Sequence, residues 1–121
     1  MAVEVRSIAD AESFVTADGS TIRELFGLPT GGVEQQSLAE ATLEPGQATR
    51  RHYHRASEEI YFVLDGEGQM ELDGERRRVT PGDAVAIPPG AWHELRAEGH
   101  RPLRILCSCA PPYRHEDTFF E

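Results

Sequence analysis

The chain has no lysine and no asparagine, only two cysteines and one tryptophan, and no apolar run long enough to cross a bilayer. Each absence excludes something. All 12 basic residues are arginine, so the chain has no side-chain amine for a Schiff base and none to anchor pyridoxal phosphate. Without asparagine there is no N-glycosylation sequon. Cys107 and Cys109, near neighbours on one face of an extended strand, are badly placed to bridge each other, and they read as small buried apolar residues of a reducing compartment. No stretch approaches the ~18 apolar residues of a spanning helix. Residues 1–10 lack the apolar segment of a signal peptide. A cytoplasmic protein that inserts in no membrane is the expectation. Basic residues are also outnumbered: 21 acids give a net charge of −9, a field that repels phosphate backbones and argues against nucleic acid as a partner.

At 121 residues the chain is the length of one domain, long enough to form a core without disulfides or a structural metal. Turn-forming residues recur every ~8–12 positions, the spacing of an all-β fold. They include Glu44-Pro45-Gly46, Asp65-Gly66, Asp73-Gly74, Pro81-Gly82-Asp83 and Pro88-Pro89-Gly90. Residues 69–72 and 76–79 flank Asp73-Gly74, a hairpin signal. The only candidate helix is a turn or two within residues 7–14, capped by Ser7. Ile60-Tyr61-Phe62-Val63-Leu64 is apolar on both faces, so both should be covered. A homodimer is the expected cover for the outer one, with a long N-terminal segment as the alternative.

The chemistry gathers in two places. His52 and His54 sit at the strand period and project to one face, where they can share a metal ion. In the other register that face carries Arg51 and Tyr53. His93 follows the Pro88-Pro89-Gly90 turn and opens another strand. Imidazoles with a carboxylate form an N/O donor set suited to Mn, Fe, Ni, Cu, Co or Zn. Calcium would want oxygen alone, and a closed structural zinc site usually uses thiolates.

At these residues the chain resembles the cupins. Gly46, His52, His54, Glu59 and Gly66 match the first cupin motif, and Gly82, Pro88, Gly90 and His93 match the second, with fifteen residues between Gly66 and Gly82. Ala97 stands where the family usually has asparagine. The resemblance implies a single-domain jelly-roll barrel over residues 36–110, with residues 1–35 as an N-terminal arm packed on it and residues 111–121 as a C-terminal tail. It further implies that His52, His54, Glu59 and His93 hold a divalent transition metal in the barrel mouth. Glu58 competes with Glu59, but only Glu59 leaves the motif's six-residue gap to Gly66.

By strand parity Tyr61 and Val63 share the face of Glu59, Leu95 that of His93, and Arg50 that of His52. Val63, Leu95, Arg50 and the neighbouring Trp92 are the expected substrate pocket, with Glu58 and Tyr61 as acid/base candidates. The tail, including Tyr113, His115 and Phe119-Phe120, reads as an ordered surface extension or as a strap across the barrel mouth. His100 and the run Arg76-Arg77-Arg78 read as solvated surface. The functional expectation is a metal-dependent, dioxygenase-like enzyme acting on a small organic substrate. A non-catalytic ligand-binding barrel and a sugar or sugar-phosphate isomerase or epimerase are the alternatives.

Overall fold

The computed structural model, which describes residues 2–121, has eleven short strands, and burial alternates most clearly along Glu58–Asp65 and His93–Glu98. One antiparallel sheet contains β1 (Ser13–Val15), β2 (Thr21–Phe26), β3 (Ser37–Leu43), β5 (Glu58–Asp65), β8 (Ala84–Ile87) and β10 (Leu103–Ala110), in the order β1-β2-β3-β10-β5-β8. The other contains β4 (His52–His54), β6 (Glu67–Leu72), β7 (Glu75–Val79), β9 (His93–Glu98) and β11 (Thr118–Phe120), in the order β11-β4-β9-β6-β7. The result is an all-β jelly-roll barrel, as the two motifs imply. Its core lies between the sheets, where Leu43, Val63, Met70, Leu95, Leu103 and Ile105 are almost fully buried.

Turn chemistry explains the path of the chain. Asp73 and Gly74 both have positive φ, +47° and +90°, as the central pair of a type I′ hairpin requires, and they join β6 to β7 in the expected register. Gly66 answers a harder constraint. Its φ is +81°, and a Cβ there would lie 2.4 Å from the Pro102 carbonyl oxygen and 2.9 Å from Leu103 Cα. Both obstacles are backbone, which cannot swing aside as a side chain can.

Residues 7–14 form less helix than the sequence suggests. Ser7 does cap a turn, its hydroxyl accepting from the Ala9 amide at 3.3 Å, but the turn is a single 3₁₀ turn, Ile8–Asp10. The chain then enters β1, which gains an edge partner in β2. The parity of β8 is settled as well: Ile87 is buried and Val85 half-buried, whereas Ala84 and Ala86 are exposed.

Residues 111–121 are built into the second sheet. Thr118, Phe119 and Phe120 pair with His54, Tyr53 and His52. The Asp117 carboxylate accepts the Ala56 and Ser57 amides at 2.8 and 3.1 Å. Its modest burial would raise its pKa, but these amides hold it below the usual carboxylate range. The outer face of β5, by contrast, is left partly exposed by the described residues. Ile60 and Phe62 are 50% and 40% exposed. The N-terminal strands lie beyond β3 and β10 in the same sheet and do not fold over it.

Gly66→Ala is expected to destabilise the domain by about 3 kcal/mol through backbone overlap and strain. Gly46→Ala, with φ +83° but open space around it, is expected to cost only about 1 kcal/mol, the penalty of an alanine at positive φ. Urea unfolding of the two variants beside the parent protein checks the order.

Candidate metal centre

Register brings the donors together. His52 and His54 project inward from β4, His52 pairs across the strands with His93 at the start of β9, and Glu59 projects inward from β5. The three imidazoles offer nitrogens within 4.8 Å of one another. All four side chains are buried, from 0% exposure at His93 to 6% at Glu59. Glu59 Oε1 lies 3.3 Å from His54 Nε2 and 3.6 Å from His93 Nε2. Two ligands of one ion, each ~2.1 Å from it, stand a little over 3 Å apart, so this spacing fits a shared metal.

The partners of the other ring nitrogens decide which atoms are free. Arg50 O accepts from His52 Nδ1–H at 2.6 Å, and Ala91 O accepts from His93 Nδ1–H at 2.9 Å. His54 Nδ1 lies 3.1 Å from Thr118 Oγ1, and that hydroxyl donates to Arg114 O at 3.1 Å. With its proton committed to the carbonyl, Thr118 Oγ1 accepts from His54. All three rings therefore carry their proton on Nδ1 and turn a lone pair on Nε2 toward the cluster.

Among the described residues Glu59 Oε1 and His93 Nε2 have no hydrogen-bond partner. Buried polar atoms left unpaired are costly and rare, and a divalent ion bound between them would satisfy both. The residues thus fit a transition metal. Burial, and after it the repulsion that two protonated rings, His52 and His93, would feel, lower His52 to about 4, so that ring is neutral, as a ligand must be.

The cluster opens into a cavity inside the barrel with an apolar wall that includes Ile22, Ala41, Leu43, Leu95 and Ile105. Tyr61 lines it with its ring 6.0 Å from that of His93, and burial together with Glu59 pushes its phenol well above the usual value. Cys107 and Cys109 face the same space, as unbridged thiols that burial makes weaker acids. Cys109 Sγ donates to Glu59 Oε2 at 3.2 Å and so leaves Oε1 as the free oxygen.

Four expected site residues lie elsewhere. Glu58 is exposed on the outer face of β5, because strand alternation that buries Glu59 turns its neighbour out. Arg50 precedes β4, so strand parity does not extend to it; it is exposed, with its guanidinium 4.5 Å over the Phe120 ring. Trp92 packs outside, edge-on to Tyr53 at 4.7 Å with Arg51 above it. Val63 does point inward, but beyond the cavity, as core at 1% exposure. Ala97 is buried, its amide and carbonyl paired with Gln47 and Gly46, so the strand end holds without an asparagine.

Sequence reasoning missed a second group. Phe14, Thr16, Asp18 and Glu24 from the N-terminal segment line the cavity, where they meet Tyr113 of the tail. None stands at metal-ligand spacing, and only long-range pairing brings them there. Thr118 carried no signal beyond its place in a tail already suspected of crossing the mouth.

Comparison with known proteins agrees with this architecture. The cupin domain model matches residues 39–109. An uncharacterized protein of Methanocaldococcus jannaschii is 48% identical over 105 residues, covering 87% of this chain and 84% of that one. The quercetin 2,3-dioxygenase of Bacillus subtilis is 41% identical over 56 residues, 46% of this chain but only 17% of that protein. A solved structure from Planctomyces limnophilus superposes with a TM-score of 0.83 at 27% identity, covering 98% of this chain and 97% of that one.

Thr118→Val keeps the shape of the side chain but removes the acceptor for His54 Nδ1–H. It is expected to weaken metal affinity about 10- to 100-fold, the usual effect of losing such a partner, whereas Thr118→Ser is expected to retain it. Competition with a chromogenic chelator measures both.

Proposed function

The chain belongs to the cupin domain family, and we propose that it is a metal-dependent oxidoreductase of the dioxygenase type, acting on a small organic molecule in the mouth of its barrel. The observation that carries this reading is the buried, unpartnered pair Glu59 Oε1 and His93 Nε2, of which Glu59 lines a cavity. An iron or copper ion held by His52, His54, Glu59 and His93 would supply Lewis acidity and one-electron chemistry toward dioxygen. The residues do the rest. The Nδ1 partners hold the rings in place, and the Cys109 thiol occupies the second oxygen of Glu59. The apolar wall keeps bulk water from the substrate. Tyr61 is the phenol we assign to hydrogen-bond a substrate oxygen.

Two observations favour this reading over a sugar-phosphate isomerase. The partial match to a quercetin dioxygenase lies with redox chemistry. Among the described residues no arginine lines the cavity, so a phosphate would find no cation other than the metal.

A second copy of this chain is the partner we propose for the outer face of β5. Exposed Ile60 and Phe62 continue there into Leu106 of β10 and Ala84 and Ala86 of β8, an apolar area spread over three neighbouring strands.

Elemental analysis of the untagged protein is expected to find one iron or copper per chain. A His52→Ala/His93→Ala variant is expected to lose it, together with oxygen uptake in the presence of hydroxylated aromatic compounds. Zinc, nickel or manganese in its place, with no oxygen uptake, would move the assignment to lyase or isomerase chemistry. Light scattering on an eluting column is expected to give a dimer, and an Ile60→Glu/Phe62→Glu variant a folded monomer.

A further inference from the structure

The charges around the cavity define what it can accept. Its lining includes three carboxylates, Asp18, Glu24 and Glu59, and no basic group apart from the clustered imidazoles. The arginines are engaged elsewhere: Arg51 with Glu71, Arg104 and Arg23 with Glu40, Arg6 with Glu4, and Arg50 and Arg55 over phenylalanine rings. Glu59 belongs to the metal cluster, and Glu24 already accepts from the Thr30 hydroxyl at 2.7 Å.

Asp18 differs from both. It sits in the turn between β1 and β2, and its backbone carbonyl accepts the Arg50 amide at 2.7 Å, which pins the turn to the segment leading into β4. Its Oδ1 is saturated, accepting from the Thr16 hydroxyl at 2.7 Å and from the Ser20 amide and hydroxyl at 2.9 and 2.6 Å. Three donors on one oxygen fix the orientation of the carboxylate and leave its second oxygen free to accept. The charge of Asp18 is felt by His52, Tyr61, Cys107 and Tyr113, which all line the cavity or its metal cluster. The N-terminal strands therefore bring a pre-oriented hydrogen-bond acceptor to a pocket whose other wall is aliphatic.

We infer that the substrate is a small uncharged alcohol or phenol with an apolar skeleton, and that Asp18 is a substrate-binding residue whose free oxygen accepts the substrate hydroxyl. This rests on the proposed function and narrows its substrate class. An additional anionic group would be desolvated beside Asp18 with no cation other than the metal to compensate it, a like-charge juxtaposition that interfaces use to reject partners. A hydroxyl group meets the acceptor it needs, while the skeleton fills the aliphatic wall.

The test compares catechol with protocatechuate, its ring carboxylate, by calorimetry on the metal-reconstituted protein. Both carry the same diol, so the ratio of their affinities isolates the added negative charge. The parent protein is expected to prefer catechol by at least about tenfold. Asp18→Asn keeps a carbonyl oxygen for the three donors and so preserves the turn, which a melting curve verifies. It removes the charge, and is expected to bring the two affinities within about threefold by weakening catechol and relieving protocatechuate. Equal or tighter binding of protocatechuate by the parent protein, a preference unchanged in Asp18→Asn, or binding of neither probe would overturn the inference. Metal content measured on the same samples separates the two readings. Selectivity without bound metal sustains the role of Asp18 and overturns the metal centre, and metal without selectivity does the reverse.

Discussion

The site depends on one arrangement: three imidazoles whose Nδ1 protons are each donated outward, so that every Nε2 lone pair turns inward. Two of the acceptors are carbonyls two residues back along the chain, Arg50 O for His52 and Ala91 O for His93. Those rings are oriented by the local backbone, and the turn that delivers each histidine also sets its tautomer. The third acceptor comes from 64 residues away, the hydroxyl of Thr118. Glu59 then meets His54 and His93 from the opposite sheet, with its other oxygen occupied by a thiol. The cost of leaving Glu59 Oε1 and His93 Nε2 unpaired in a buried place is what makes an ion the natural occupant of the space between them.

The barrel keeps these four side chains in place by alternation and register. On β5 the period of two buries Glu59, Tyr61 and Val63 in succession, which become metal-cluster residue, cavity wall and core with increasing depth. Cross-strand pairing sets Cys109 opposite Glu59 and Cys107 opposite Tyr61, so the thiols face the site although neither resembles a metal ligand of a Cys-rich motif. The same alternation leaves Ile60 and Phe62 outside, where a second chain would find them.

Both ends of the chain return to the mouth. β11 lies beside β4, placing Thr118 and Phe120 on the face of the histidines, while Phe119 stacks on Tyr53 outside at 5.1 Å. The N-terminal strands extend the other sheet and carry Asp18 to the cavity. The clustered donors thus come from the middle of the chain, while its ends add Thr118 beside His54 and bring Phe14, Asp18, Glu24 and Tyr113 to a cavity otherwise walled by the middle.

Much of this was legible in the amino-acid order. The β rhythm, the Asp73-Gly74 hairpin and the shared face of His52 and His54 are readable because they rest on short-range regularities: a turn needs particular residues at fixed offsets, and a strand sends every second side chain the same way; Glu59 and His93 join them only through the resemblance to the cupin motifs. The misplaced residues mark where that reasoning stops. Parity assigned Arg50 to the pocket, but β4 begins at His52 and parity holds only within a strand. Trp92 lies next to His93 in sequence and on the opposite side of the sheet in space. Asp18, Tyr113 and Thr118 carry no local signal, because what brings them to the site is hydrogen bonding between strands far apart in sequence. The sequence by itself determined the fold class and the shared face of His52 and His54, through periodicities that repeat within a few residues. Only the tertiary structure decided which tautomers the rings adopt and what charge lines the cavity, since both depend on groups that meet only after the two sheets close.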